Sequence, residues 1–349
     1  MSGTSMDGID AALIETDGHS HIKPLGFKSA PFAADFRAKL RGCLGVKDRE
    51  NAAIAPVERQ LTELHAEAVK ALLKDLGQGT DIIGFHGQTV YHCPAHKCTI
   101  QIGDGALLAK LTGIDVVNDF RAADVQAGGQ GAPLVPLYHR ALMANVEKPV
   151  LILNIGGVSN ITWIGGEGDD EILACDVGPG NALIDDWVLR HTGKPYDKDG
   201  ALAASGKVYE ATVEKFLGMP FFRKPPPKSL DRDEFSQIVP AHLSVADGAA
   251  TLTMLTAKGI AAILPFLPLK PQAIYVGGGG RHNATLMRWI AEATGLKVLP
   301  VDNLGWRGDA LEAEAFAWLA VRSVLGLPLS LPTTTGVSRP MTGGKLHKA

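Results

Sequence analysis

Three glycine turns, each beside a strand-like run, constrain this chain more than anything else in it. They are GTSMDGID at 3–10, NIGGVSN at 154–160 and VGGGGRHN at 276–283. Glycine lets backbone N–H groups approach phosphate oxygens with no side chain in the way. Three such turns, with small hydroxyl or amide residues in or beside them, suggest a site built around a polyphosphate. The kind of turn matters. The chain holds no G-x-x-x-x-G-K-[ST] run and no G-x-G-x-x-G opening a helix, so neither a P-loop nor a dinucleotide fingerprint is present. Instead Gly3–Gly8 leads into the apolar run Ile9–Ile14, and Gly156-Gly157-Val158-Ser159 joins the β-rich runs Val150–Ile155 and Asn160–Ile164. These patterns read as hairpins tipped with Gly, Ser and Thr. The candidate phosphate-binding positions are therefore Gly3, Thr4, Ser5, Met6, Asp7, Gly8, Ile9 and Asp10 in the first turn, Asn154, Gly156 and Gly157 in the second, and Gly278, Gly279 and Asn283 in the third.

Phosphate held by hairpin tips from two domains is the plan of the actin-like and sugar-kinase ATPases, an analogy of fold. The 349 residues suit two domains better than one core. Division is expected at the Gly- and Pro-rich run Gln126–Pro136, giving domains 1–135 and 136–349, with the last residues able to pack back on the first. A net charge of −3 gives no electrostatic case for nucleic acid or an anionic membrane. The most apolar stretch, Gly259–Leu269, is broken by Pro265 and Pro268 and is too short to span a bilayer. The polar start does not read as a signal peptide. Four cysteines make no disulfide framework in so long a chain, so a reducing cytoplasm is expected. A phosphate-binding hairpin needs a strand before its tip, and only Met1-Ser2 precede this one, so a short apolar strand is expected upstream.

Along the chain, Ile9–Glu15 and His21–Lys28 read as strands, Val57–Leu76 as a helix stopped by Gly77, and Asp81–Phe85, Thr99–Ile102 and Ile114–Asn118 as strands ending in polar loops. Helices are expected over 106–111, 181–191, 249–264, 283–294 and 309–325, and strands over 273–276 and 297–301. Phe221–Lys228 (FFRKPPPK) reads as a proline-stiffened basic loop, and the tail after Leu331 is weakly specified.

Several side chains have a chemical reading beside a plainer one. Asp176, before Val177-Gly178-Pro179-Gly180-Asn181, can be a general base or can organise its own turn. Asp185 and Asp186 fall on the following helix, with at least one facing solvent. Glu312 can hold hydrated magnesium, or can close a capping box with Asp309. Asp7 can orient a magnesium-bound water or hold the hairpin tip. His86, Gln88, Arg121 and Asp124 lie at strand ends and, with Gly178 and Asn181, form a candidate substrate set, since a polyhydroxylated ligand needs many converging hydrogen-bond groups. His92, Cys93, His96 and Cys98 are crowded, yet H-C-x-x-H-x-C is not a usual zinc spacing and Pro94 suggests a hairpin bend. His65 reads as a packed histidine.

Taken together, the segments MSGTSMDGIDAAL, GFHGQTVYH, QIGDGALLA, VNDFRAADVQAGGQGAPLVP, LNIGGVSNIT, CDVGPGNALIDDW, FFRKPPPKS, VGGGGRHN and ALEAEAFAWLA closely resemble the anhydro-N-acetylmuramic acid kinases. These belong to the superfamily of actin, hexokinase and heat-shock chaperone ATPases. The resemblance runs to about residue 320. It implies an α/β fold of two ribonuclease-H-like domains flanking an ATP cleft, with Gly3–Asp10 on the ATP phosphates, Asp176 as base and Glu312 assisting magnesium. It implies a cytoplasmic enzyme, often dimeric, that recycles peptidoglycan, with ATP and Mg2+ as cofactors and no nucleic acid or membrane partner. This chain departs from the family pattern in its short start, in Val177 where a Thr is usual, and in Leu230-Asp231-Arg232-Asp233 where Thr-Gly-Arg-Glu is usual. Two alternatives stand beside this reading. One is a levoglucosan kinase, with Arg121 as the candidate partner for the lactyl carboxylate that levoglucosan lacks. The other is a nucleotide-binding sensor that has lost catalysis.

Overall fold

The computed structural model describes residues 1–3, 6–230, 235 and 243–349. The chain is α/β and divides into two compact units, Met1–Asn145 with Ala310–Ala349, and Val146–Asp309.

In the first unit, β1 (Gly8–Thr16) and β2 (Ile22–Pro31) form an antiparallel hairpin. The helix Ile54–Leu76 follows. It buries Leu61, His65, Ala68 and Leu72 at helical spacing and stops at Gly77, whose φ of 61° is the left-handed cap. Next come β3 (Ile82–Gly84), the hairpin of β4 (Gln88–Cys93) and β5 (Cys98–Ile102), and β6 (Asp115–Asn118), which pairs with β3 in parallel. No ladder joins β1 to β3 among the described residues. A cavity of about 200 Å³ lies there instead, lined by Ile9–Thr16, Thr80–Phe85 and His65.

The second unit is organised on one five-stranded sheet. Strands β7 (Val150–Ile155), β8 (Val158–Ile164) and β9 (Ile172–Pro179) form an antiparallel meander, and β10 (Ala273–Gly277) and β11 (Lys297–Pro300) add in parallel on the other side of β7. The order β11-β10-β7-β8-β9 is that of a ribonuclease-H-like domain. The alternation of β7 and β8 sends Leu151, Leu153, Ile155, Ile161 and Trp163 into one core with Ile274, Val276, Leu286 and Ile290. A second core gathers Trp187, Phe216, Phe221, Phe222 and Phe235 around the helix Val245–Ala261. Ser244 caps that helix, its side chain accepting from the Asp247 N–H at 3.1 Å. Counted to Phe266, this segment is long and apolar enough to cross a membrane by length and composition, which corrects the shorter span taken from Gly259–Leu269. More than half of it is buried inside the fold, as a core helix is.

The chain then returns to the first unit through the helix Leu311–Val324 and ends in β12 (Lys345–His347), which pairs antiparallel with β6. The expected division at 135/136 and the hinge at Gln126–Pro136 fall inside the first unit. Tyr138, on the helix Pro136–Leu142, donates to Glu314 at 2.9 Å and packs on Trp318, which holds this stretch to the returning helix.

Candidate functional site

The first unit gathers one group of candidate residues. Thr4 and Ser5 lie outside the described residues. Around them, the Met6 N–H donates to the Gly3 carbonyl at 3.1 Å, with Met6 at φ 50°. Gly8 is required by packing, since a Cβ there would lie 2.5 Å from the Ala30 carbonyl oxygen. Asp7 is exposed at the tip, and its carbonyl accepts from Phe32 at 2.9 Å. Ile9 is buried against the helix Ile54–Leu76. Asp10 exchanges two backbone bonds with Met1, at 2.6 and 2.9 Å. Desolvation lowers the Met1 ammonium to a pKa of about 6, against the pull of the Asp10 and Glu312 charges. Glu312 is shifted upward by the surrounding protein; Arg121 opposes this and Asp10 adds to it. Its side chain reaches solvent, which limits the push.

Arg121 is turned toward His86, donating to His86 Nε2 from Nε at 3.2 Å and from Nη2 at 3.0 Å. His86 must then be neutral, with Nδ1–H facing the Gly87 carbonyl at 2.9 Å. Burial and the guanidinium hold it well below the ordinary histidine range. Desolvation also lowers Arg121, to about 10, with Glu312 and Asp124 opposing. Gln88 is buried, and its Oε1 has no partner among the described residues, a position suited to accepting from a ligand. Asp124 is differently employed. It is 2% exposed and accepts from Gly131 N–H at 2.6 Å, from Thr335 at 2.6 Å and from Ser330. Its carboxylate is committed to shaping the loop beside Arg121. His92 ties the β4–β5 hairpin to that loop, with Nε2 on the Gln130 carbonyl at 2.9 Å. Among the described residues no cluster of three or more His, Cys, Asp or Glu side chains is placed to hold a metal. His65 is packed on Phe85 and pushed to about 3 by burial.

The second unit stitches its glycine turns together. Asn181 N–H donates to Gly156 O at 2.7 Å, Gly180 N–H to Gly157 O at 2.9 Å, and Asn181 Nδ2 to Ile155 O at 3.1 Å. Asn181 therefore spends its side chain on the neighbouring turn and forms no side-chain cap for the helix Ala182–Thr192. Gly178 sits at φ 146° facing Phe222. Gly278, at φ 71°, has Asn154 Oδ1 where a Cβ would be only 2.5 Å away, and Gly279 opens toward Asn181. Asn283 is 8% exposed and caps the helix Ala284–Thr294, accepting from Leu286 N–H at 2.9 Å.

Asp176 lies within β9, which continues through Val177 and Gly178 to Pro179 where the sequence suggested a turn; it stands opposite Asn160 and beside a bulge in the ladder. Its N–H donates to Lys228 O at 3.0 Å, and its Oδ2 accepts from Leu230 N–H at 2.7 Å. It keeps partial solvent contact. Desolvation nevertheless raises its pKa to about 6, against the Leu230 hydrogen bond. Such a carboxylate, ionised near neutrality yet easily protonated, has the character of a general base.

Two features escaped the sequence reading. Arg281 binds Asp302 at 3.0 Å, Asp309 at 2.9 Å and the Gly278 carbonyl at 2.9 Å, pinning the third turn. An arginine directly after a glycine run was the available signal. Asp309, thus engaged, caps nothing: the helix begins at Leu311 with Ala310 at its N-cap and no side-chain cap, so the Asp309–Glu312 capping box is not formed. The other feature is the clasp of 228–230 on Asp176, which brings together residues remote in sequence.

The family model of the anhydro-N-acetylmuramic acid kinases matches residues 1–349. A protein of that name from Rhizorhabdus wittichii is 54% identical, with 100% of this chain and 97% of the relative covered. Another from Rhodospirillum rubrum is 52% identical over 99% of this chain and 92% of its own length. The chain belongs to the anhydro-N-acetylmuramic acid kinase family.

Proposed function

We propose that this enzyme opens the 1,6-anhydro ring of anhydro-N-acetylmuramic acid with water and transfers the γ-phosphoryl group of ATP to O6, giving N-acetylmuramic acid 6-phosphate and ADP. The observation that carries the chemical assignment is Asp176: a carboxylate beside the bulge of β9, held by Leu230 N–H at 2.7 Å and raised to about 6. The anhydro bridge ties up O6, so the sugar has no free 6-hydroxyl to phosphorylate. Asp176 takes a proton from water as it attacks the anomeric carbon. The bridge C–O bond breaks, and the released oxygen accepts the phosphoryl group. Positioning of the water contributes more than basicity, because the carboxylate need be protonated only late in the step.

The remaining residues are proposed for the following roles. In the second unit the turn amides of Gly156, Gly157, Gly278 and Gly279 suit phosphate oxygens, and the glycines Gly3 and Gly8 of the first unit are assigned the same kind of contact. Arg121, with His86 and Gln88, is assigned to the sugar and its lactyl carboxylate. Asp124 shapes the loop beside them. Glu312, whose proton affinity the Asp10 charge helps to raise, and Asp10 fit a magnesium ion that keeps most of its waters, with Asp7 near one of them. When bound, magnesium neutralises charge on the transferring phosphoryl group. The reading includes a cytoplasmic homodimer; a monomer mass in light scattering would remove the dimer.

The test is turnover of anhydro-N-acetylmuramic acid, levoglucosan and N-acetylmuramic acid with ATP in ¹⁸O water. Label at the anomeric carbon of a 6-phosphorylated product from the first sugar alone is the expected result. Turnover of levoglucosan instead would overturn the substrate. Asp176→Asn should lower kcat by about 10²–10⁴-fold with ATP binding intact; near-normal turnover would remove the base assignment.

A further inference from the structure

The segment 228–230 is fixed to Asp176 by its backbone and to the core by one side chain. Residues 228 and 230 grip Asp176 from both sides, Lys228 O accepting its N–H at 3.0 Å and Leu230 N–H meeting Oδ2 at 2.7 Å. Lys228 is the unusual member. A half-buried lysine ordinarily extends its ammonium into water. Here Nζ turns inward, donates to the Phe221 carbonyl at 3.1 Å, and lies 4.5 Å from the Phe221 ring centroid and 5.6 Å from that of Phe266. Phe221 is buried in the aromatic core, 3% exposed. Holding an ammonium there has a cost, since desolvation lowers the Lys228 pKa. Carbonyl and ring contacts offset that cost only while the segment stays in this place.

We propose that Lys228 is a positioning residue for the reaction: by anchoring the 228–230 segment to Phe221 it holds Leu230 N–H on Asp176 Oδ2, so that Oδ1 is aimed at the attacking water. The proposal rests on the reading of Asp176 as base. Among the described residues no ion pair joins Lys228 to Asp176 and only Oδ2 of the carboxylate is hydrogen-bonded, so Lys228 acts through the backbone. Among the described residues the other groups near the carboxylate carry no opposing charge. Cys175, beside it on β9, is pushed up to about 12 by burial and stays neutral. Asn160, opposite it, is an amide. The helix Val245–Ala261 packs on β9 and presents Thr256, bonded to Gly180 O, and Gly259, near Val177 O.

The experiment measures kcat and KM against pH for the wild type, Lys228→Met, Lys228→Arg, Leu230→Pro and Asp176→Asn, with melting curves for each. Losing the Leu230 bond removes a contact that favours the charged carboxylate. For Lys228→Met we expect kcat to fall roughly tenfold or more, the acidic limb of the kcat profile to move to higher pH, and KM for ATP to hold. Leu230→Pro, which deletes the donor and leaves the lysine, should move the limb the same way. Lys228→Arg should restore part of kcat. A folded Lys228→Met whose acidic limb coincides with the wild type overturns the proposal, whatever its kcat. If Lys228→Met does not fold, an unmoved limb in Leu230→Pro overturns it. Asp176→Asn separates the two readings: retained turnover there removes the base assignment, whereas an inactive Asp176→Asn beside an unmoved limb removes only the role of Lys228.

Discussion

Asp176 carries opposite demands at the level of a single side chain. Its surroundings raise its pKa from the ordinary aspartate value of 3.8 to about 6, so folding opposes its ionisation. The sign follows from linkage: the folded state holds the proton more tightly, so the cost is absent below pH 3.8, grows as the pH rises toward 6 and is fully present above it. Asp176→Asn should therefore be more stable than the wild type at pH 7, by on the order of 1–3 kcal/mol, while losing turnover. The advantage should shrink when melting is followed at pH 4. Equal melting points at pH 7 would show that no desolvation penalty exists. Turnover should also fall as the pH drops through about 6, where the carboxylate takes up a proton. The turn expected directly after Asp176 is not formed, since Val177, Gly178 and Pro179 continue β9, but Asp176 itself was legible in the sequence as a candidate. Its partner Leu230 was not, because a backbone donor carries no residue signature. The pair Asp309 and Glu312 shows the reverse error: the spacing fits a capping box, but Arg281 offers Asp309 a charge-assisted bond, and a charged partner outcompetes a helix N–H.

The glycine turns act as one element. Gly278, Asn154, Gly156, Gly180 and Asn181 support each other through backbone bonds and close approaches, so a Cβ at Gly278 has nowhere to go. Gly278→Ala would force a side chain into φ 71° and within 2.5 Å of Asn154 Oδ1. The expected outcome is a loss of roughly 1–3 kcal/mol of stability and a weaker ATP Kd in calorimetry. A variant with wild-type ATP affinity would take the third turn out of the phosphate site. Ser244→Ala makes the control: it removes the cap of the helix Val245–Ala261, should cost about 1 kcal/mol, and should leave ATP affinity unchanged. Helices bounded by Gly stops or an Asn start were legible to within a few residues, as at Gly77, Gly193 and Asn283. The tail was not. Lys345–His347 has no strand-like apolar run, and it becomes a strand because β6 offers it an edge, a cause that lies elsewhere in the chain.

At the scale of the whole molecule, the chain leaves the first unit near residue 145 and re-joins it at 310, so the first unit is completed only when the last residues are made. Their attachment is chemical as well as topological. Asp124 is 2% exposed and depends on Ser330 and Thr335 for two of its hydrogen bonds. Thr335 O also accepts from Gln130 N–H at 2.7 Å, and β12 covers the edge of β6. Ending the chain after Pro328 would leave a buried carboxylate without these donors and would expose a strand edge. Breaking buried charge contacts of this kind costs roughly 3–5 kcal/mol, a large share of the stability of any domain. The damage should be confined to one unit. Amide exchange in the truncated protein should rise at β3, β6 and the 124–131 loop, while β7, β8 and β10 keep their protection, because their ladders and core lie wholly within 146–309. Arg121, whose Nη1 donates to Gly131 O at 2.6 Å, would lose its support, so sugar binding should fail while the second unit still melts cooperatively. Uniform loss of protection across both units would mean that the second cannot hold its fold without the first, and unchanged protection at β6 would mean that the tail is an ornament on a unit already complete.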